Sequence, residues 1–158
     1  MVTLIVGPIN SGKTTRMAAL HREKGGDGVL CPKFMESGVH RGYDLVHLAT
    51  GETLPFARFS DSLPKNWHEA FTFGPYSFST RGQEKAAEII EKAIEAGISP
   101  IFIDEIGPVE LQGQGFAPLL RRLLQGEQDT IVSVRDFLLE QIINFFEIKK
   151  DQMHKEQI

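Results

Sequence analysis

Eight consecutive residues, Gly7-Pro8-Ile9-Asn10-Ser11-Gly12-Lys13-Thr14, fit the pattern GxxxxGK[ST] at every fixed position. The run before them, Val2 to Val6, is short, apolar and β-branched, so it reads as a strand. The run after them is helical from Lys13 to about Lys24, where Gly25-Gly26 stops it. Gly28 to Phe34 reads as a second strand, and a strand-helix-strand unit of this length makes the two strands parallel. The opening therefore commits the chain to the α/β class.

Glycines at both ends of the loop let the backbone wrap closely around oxygen atoms, so successive N–H groups and the helix N-terminus become donors for a diphosphate. We take Gly7, Pro8, Ile9, Asn10, Ser11, Gly12, Lys13, Thr14 and Thr15 as the nucleotide-binding residues. Lys13 adds charge at the β- and γ-phosphates. Thr14 offers a hydroxyl to a Mg²⁺ ion bridging those phosphates, and Thr15 bonds toward the α-phosphate. An ordinary glycine turn is the competing reading, but at average glycine usage the four fixed positions arise by chance in only about one chain in a few hundred.

Further along, Tyr43 to Leu48 and Leu54 to Phe59 alternate about Ala49-Thr50-Gly51-Glu52-Thr53, predicting an inserted β-hairpin. Ser60 to Ser79 has two prolines, Trp67 and several Phe with no sustained period, so we expect a loop with one short helix. Thr80 with Gln83 matches a capping box, Ala86, Ile90, Ala93 and Ile94 share a face, and Gly97 ends that helix. Pro100 to Asp104 reads as a buried strand, Phe116 to Gln125 as a helix, Thr130 to Val134 as a strand and Asp136 to about Phe146 as a helix. One domain over 1–148 is expected, with a polar tail from Lys149 to Ile158.

The apolar run Ile101-Phe102-Ile103 ends in Asp104-Glu105, where a parallel sheet presents its carboxyl edge to a ligand. Asp104 is the candidate metal-side acid together with Thr14. Glu105 is the candidate that orients or deprotonates an attacking water, since hydrolysis needs a nucleophile in line with the γ-phosphate. Acids capping apolar strands usually mean only solvation; the complete phosphate loop changes that balance. Lys13, Glu105 and Arg135 form the candidate catalytic set. Arg135, just past an apolar strand, is either a γ-phosphate sensor or a surface arginine.

A net charge of −4 gives no footprint for broad nucleic-acid binding, and the apolar runs are too short to span a bilayer. No signal-peptide pattern precedes Val2, so a cytosolic chain is expected. One cysteine, Cys31, excludes a disulfide framework or a cysteine-cluster metal site, and its apolar neighbours mark it as a small buried side chain. The five histidines show no metal-ligand spacing.

The stretch Ile103-Asp104-Glu105-Ile106-Gly107-Pro108-Val109-Glu110-Leu111 closely resembles the DEIGxMEL signature of the cancer-related nucleoside-triphosphatase family, also called Thep-type NTPases. His40-Arg41-Gly42-Tyr43-Asp44-Leu45-Val46 resembles its RxGF segment. The likeness runs from Val2 to roughly Val134. It implies a three-layer, RecA-like P-loop NTPase fold with a mostly parallel sheet and an inserted β-hairpin. It also implies Mg²⁺-dependent hydrolysis of several NTPs, ATP and GTP among them, to NDP and phosphate. Val109 stands where the signature has methionine, and Val134-Arg135 where the family has a His-Arg pair.

A small-molecule kinase is the main enzymatic rival, since the same loop and metal serve transfer to an acceptor. A nucleotide-gated switch acting through residues 60–79 is the non-enzymatic one. Glu110 is read as a brace for the following helix. Phe71, Phe73, Tyr76 and Phe78 read as edge-strand packing in preference to a base-stacking platform.

Overall fold

Strand β1 (Val2–Gly7) opens into the loop and helix α1 (Lys13–Lys24), and β2 (Asp27–Leu30) follows in the computed structural model, which describes all 158 residues. A second short strand, β3 (Lys33–Glu36), comes next and pairs with β4 (Val39–His47) instead of continuing β2. The expected strand over Gly28 to Phe34 is thus two strands. Pro32 lies at the break, where a residue without an N–H leaves the ladder. Ser37 and Gly38, with φ of 51° and 77°, close the β3–β4 hairpin, as a tight turn that matches strand twist requires. β5 (Thr53–Phe59) then pairs antiparallel with β4, which is the hairpin expected from the alternation.

Residues 60–79 depart from the expected loop. They contain β6 (Glu69–Phe73) and β7 (Tyr76–Ser79), a hairpin that pairs with β5. The aromatic alternation there is edge-strand packing, with Phe71 stacked on Phe78 at 4.7 Å between centroids. Trp67 Nε1 donates to Ser77 Oγ at 2.9 Å, which holds the segment before β6 against β7.

Helix α2 (Thr80–Glu95) is capped one residue earlier than the capping-box reading has it: Ser79 Oγ accepts from Gly82 N at 3.0 Å. Gln83 is thereby freed to donate to Gly115 O across the molecule. After β8 (Ile101–Ile106) come α3 (Ala117–Leu124), β9 (Thr130–Arg135) and α4 (Leu139–Phe145). The expected helix from Asp136 begins as a 3₁₀ turn over Asp136–Leu138 before α4.

The polar segment after Lys149 also carries structure. Met153–Gln157 forms β10, parallel to β1, with Val2 opposite Met153 and Val6 opposite Gln157. An edge strand pairs through its backbone, so polar side chains do not oppose it, and Lys155 suits an exposed edge. Arg16 of α1 clamps β10 through Glu156 with bonds of 2.7 and 2.9 Å.

The sheet order is β10-β1-β9-β8-β2-β4-β5-β7-β6, with β3 attached to β4. The strands from β10 to β2 are parallel and those from β4 onward antiparallel, so the insertion is larger than one hairpin. Alternate residues feed two cores. Leu4, Val6, Ile103 and Val132 join the core under α2, α3 and α4. Ile5, Phe102 and Ile131 meet Met17 and Leu20 of α1 on the opposite face, completing three layers. Burial of Met17 and Leu20 is worth roughly 1.5–3 kcal/mol each and anchors the helix that follows the Gly7–Gly12 loop. No helix is long and apolar enough to cross a membrane.

Candidate active site

β1 delivers the loop to the carboxyl edge of the sheet, between β10 and β9. At Gly7 an added Cβ would lie 2.5 Å from Ser11 Oγ, so a side chain there would force the Ser11 hydroxyl out of its place in the loop. Gly12, at φ 92°, makes the left-handed turn into α1, a conformation that costs glycine little. No side chain caps α1, which leaves the first N–H groups of the helix facing the cavity. Lys13 is buried, and its Nζ donates to Gly7 O at 3.0 Å and Pro8 O at 2.7 Å.

Strand β9 lies between β1 and β8, so the acids of β8 face the loop across one intervening strand. The β8–β9 pairing runs from Ile103 opposite Val132 to Ile106 opposite Val134, three steps against two. The extra residue is a bulge at Asp104-Glu105, a device that re-aims side chains beside a site. Asp104 is 2% exposed and accepts three bonds: Ser133 Oγ on Oδ1, and Thr14 Oγ1 at 2.8 Å and Cys31 N at 3.1 Å on Oδ2. Glu105 accepts from Arg135 Nε at 2.9 Å through Oε1, while its Oε2 lies 3.8 Å from Lys13 Nζ. Burial pushes the Glu105 carboxyl above its usual range; Arg135 and, less strongly, Lys13 pull it back, and Asp104 adds to the rise.

One cavity of about 680 Å³ joins these groups. Residues Ile9 to Thr15 form one wall, and Asp104, Glu105 and Arg135 lie beside them. Gly7 and Pro8 meet the site through the carbonyls that hold Lys13. Arg135, left open between sensor and surface arginine, is bonded to Glu105 and lines the cavity.

Several groups at the site carry no motif. Ser133 was visible only as a lone hydroxyl in an apolar strand, and the Cys31 N–H has no sequence signal. Tyr43 reaches the cavity from β4; burial, with Tyr76 beside it, pushes its phenol up to about 12.

Glu110 braces the loop between β8 and α3. Its Oε1 accepts from Gly107 N at 2.9 Å and its Oε2 from Phe116 N at 3.0 Å. Burial raises its pKa to about 7, although the N–H groups of Phe116 and Gly107 oppose the rise. The folded protein thus holds a proton that the unfolded chain releases between pH 4.5 and about 7, and stability from this group falls as pH rises through that window. The difference in unfolding free energy between the parent and Glu110→Gln, from urea titrations, should shift against the parent over that window. A pH-independent difference would contradict the protonated brace.

The family model described as NTPase matches residues 2–155. The chain belongs to that NTPase family. A relative of this NTPase-family chain, the nucleoside-triphosphatase THEP1 of Methanopyrus kandleri, is 30% identical over 109 residues. The match covers 69% of this chain and spans 56% of the relative's length. Among solved structures, THEP1 from the hyperthermophile Aquifex aeolicus superposes with a TM-score of 0.75 at 19% identity, covering 99% of this chain and 89% of that one. The human cancer-related nucleoside triphosphatase gives 0.67 at 23%, covering 99% and 87%. At these identities the two structures establish the fold, an α/β arrangement with a mixed, partly parallel sheet between helices.

Proposed function

We infer that the chain hydrolyses nucleoside triphosphates to the diphosphate and phosphate, with Mg²⁺ held beside Thr14 and Asp104. The observation that carries this reading is Glu105, a partly buried carboxylate on the cavity wall, fixed by Arg135 and 3.8 Å from the phosphate-loop lysine.

The loop backbone and the α1 N-terminus bind the phosphate chain, and Lys13 turns from the loop carbonyls to the β- and γ-oxygens. Thr14 Oγ1 and Asp104 Oδ2, 2.8 Å apart, are hard oxygen donors of the kind Mg²⁺ accepts while keeping several waters. Thr14 and Asp104 would hold the ion, which would supply positive charge against the negative charge that develops on the phosphates. Ser133 and the Cys31 N–H hold the Asp104 carboxylate in one orientation. Glu105 orients the attacking water and takes its proton, a role to which its raised proton affinity is suited. Arg135, with Nε on Glu105, keeps its Nη groups for the transferring phosphoryl oxygens.

The relative from Methanopyrus kandleri carries the name nucleoside-triphosphatase, which supports water as acceptor. None of the candidate site features reads a base edge, so ATP, GTP, CTP and UTP should all serve. Phosphate release from each, with and without Mg²⁺, tests this. Release that needs the metal and differs modestly among bases is expected; no release from any of the four would overturn the reading.

A further inference from the structure

The cavity is larger than hydrolysis needs, and its surplus lies on one side. It takes lining from the loop as far as Thr15, but nothing from the rest of α1 or from β10. Beyond Glu105 it continues into a chamber walled by Tyr43, Phe56, Tyr76, Phe78, Phe116 and Val109. Those aromatics come from β4, β5, β7 and the start of α3, all on the far side of β8 from the phosphate loop. Phe56 and Phe116, stacked on each other at 5.4 Å and nearly fully buried, back the chamber, while the partly buried Tyr43, Tyr76 and Phe78 present ring surface to it, Tyr43 lying 5.6 Å from Tyr76.

The polarity of a bound triphosphate decides what this chamber faces. Thr15 is the α-phosphate end of the loop, while Lys13 and Thr14 serve the β- and γ-phosphates next to Asp104 and Glu105. The nucleoside therefore projects away from the aromatics, toward α1 and β10. Phosphoryl transfer is in line, so the attacking oxygen enters opposite the leaving diphosphate, from the aromatic side. A water occupies about 30 Å³, whereas cavities of roughly 300–1,000 Å³ hold small organic ligands. Flat apolar walls with few polar groups select planar rings.

We propose that this chamber binds a small planar alcohol as phosphoryl acceptor, giving the protein an NTP-dependent kinase activity besides hydrolysis. The acceptor hydroxyl oxygen forms the new bond to the γ-phosphorus as the bond from that phosphorus to the β–γ bridging oxygen breaks. The hydroxyl proton passes to Glu105, and the diphosphate leaves with the electron pair. The products are a phosphomonoester and NDP. The proposal rests on the phosphate-site reading given above.

The test incubates the full chain with Mg²⁺ and ATP labelled at the γ-phosphate, plus pyridoxine or 5-hydroxymethyluracil as planar-ring alcohols and glycerol or glucose as non-planar ones. Labelled phosphomonoester from at least one planar alcohol is expected, at least about tenfold above either non-planar alcohol. Phosphate release without label in any planar alcohol overturns the acceptor proposal alone; absence of both ATP binding and phosphate release overturns the phosphate-site reading with it. Val109→Phe, which fills the chamber, should abolish transfer while phosphate release stays within about twofold. If that substitution instead weakens ATP binding about tenfold and leaves tripolyphosphate binding unchanged, the chamber holds the nucleotide base and the proposal fails.

Discussion

Glu105→Gln binds Mg²⁺-NTP at least as tightly as the parent and releases phosphate about 10²-fold or more slowly. The substitution is nearly isosteric, and its amide oxygen still accepts from Arg135 Nε, so the wall of the cavity keeps its shape. Two properties vanish. The side chain no longer accepts a proton from the attacking water, and a negative charge beside Lys13 is removed. The first loss falls on turnover, because the base acts only as the water attacks. The second relieves repulsion between the carboxylate and the triphosphate, so affinity holds or improves. Steady-state phosphate release and a nucleotide titration separate the two effects. Near-parental turnover would sink the general-base role and leave the water's proton to another group.

Lys13→Ala fails in the opposite sense, by losing the nucleotide. Lys13 is the loop's cation, and charge-assisted hydrogen bonds to phosphate are worth roughly 1.5–3 kcal/mol each. Losing two of them weakens binding at least about 100-fold, and turnover falls with it. The fold tolerates the change. The Gly7 and Pro8 carbonyls that lose their donor belong to a loop lining an open cavity, where water replaces the ammonium. Circular dichroism should show a parental spectrum and a thermal midpoint within a few degrees. A folded variant with parental affinity would place the triphosphate elsewhere.

What the residues revealed in advance follows from what each feature asks of them. The phosphate loop and Asp104-Glu105 were legible because their chemistry demands particular residues at fixed spacing and at strand ends. The parallel half of the sheet was legible because strands buried on both faces need continuous apolar runs, as in Val2 to Val6 and Ile101 to Ile103. β10 was not, because an edge strand is paid for by backbone hydrogen bonds and Met153 to Gln157 show no apolar alternation. The β6–β7 hairpin hid behind prolines, although Phe71, Phe73, Tyr76 and Phe78 already carried its alternation. Ser79 rather than Thr80 caps α2 because both offer a hydroxyl and only the backbone geometry chooses between them. The bonds from Ser133 and Cys31 to Asp104 depend on which strands become neighbours, and that order is a tertiary fact. Joining the phosphate loop and the aromatic chamber in one cavity required the same information.

The division of labour between the two acids is most directly tested by phosphate release measured against Mg²⁺ concentration for the parent, Asp104→Asn and Glu105→Gln. Asp104 meets Thr14, and Glu105 meets Arg135 and lies near Lys13, so the two substitutions should fail differently. Asp104→Asn is expected to shift the Mg²⁺ midpoint upward by about tenfold or more and to recover part of its activity at high metal. Glu105→Gln is expected to keep the parental midpoint and to recover nothing. Equal midpoints for Asp104→Asn and the parent, or metal rescue of Glu105→Gln, would contradict the assignment.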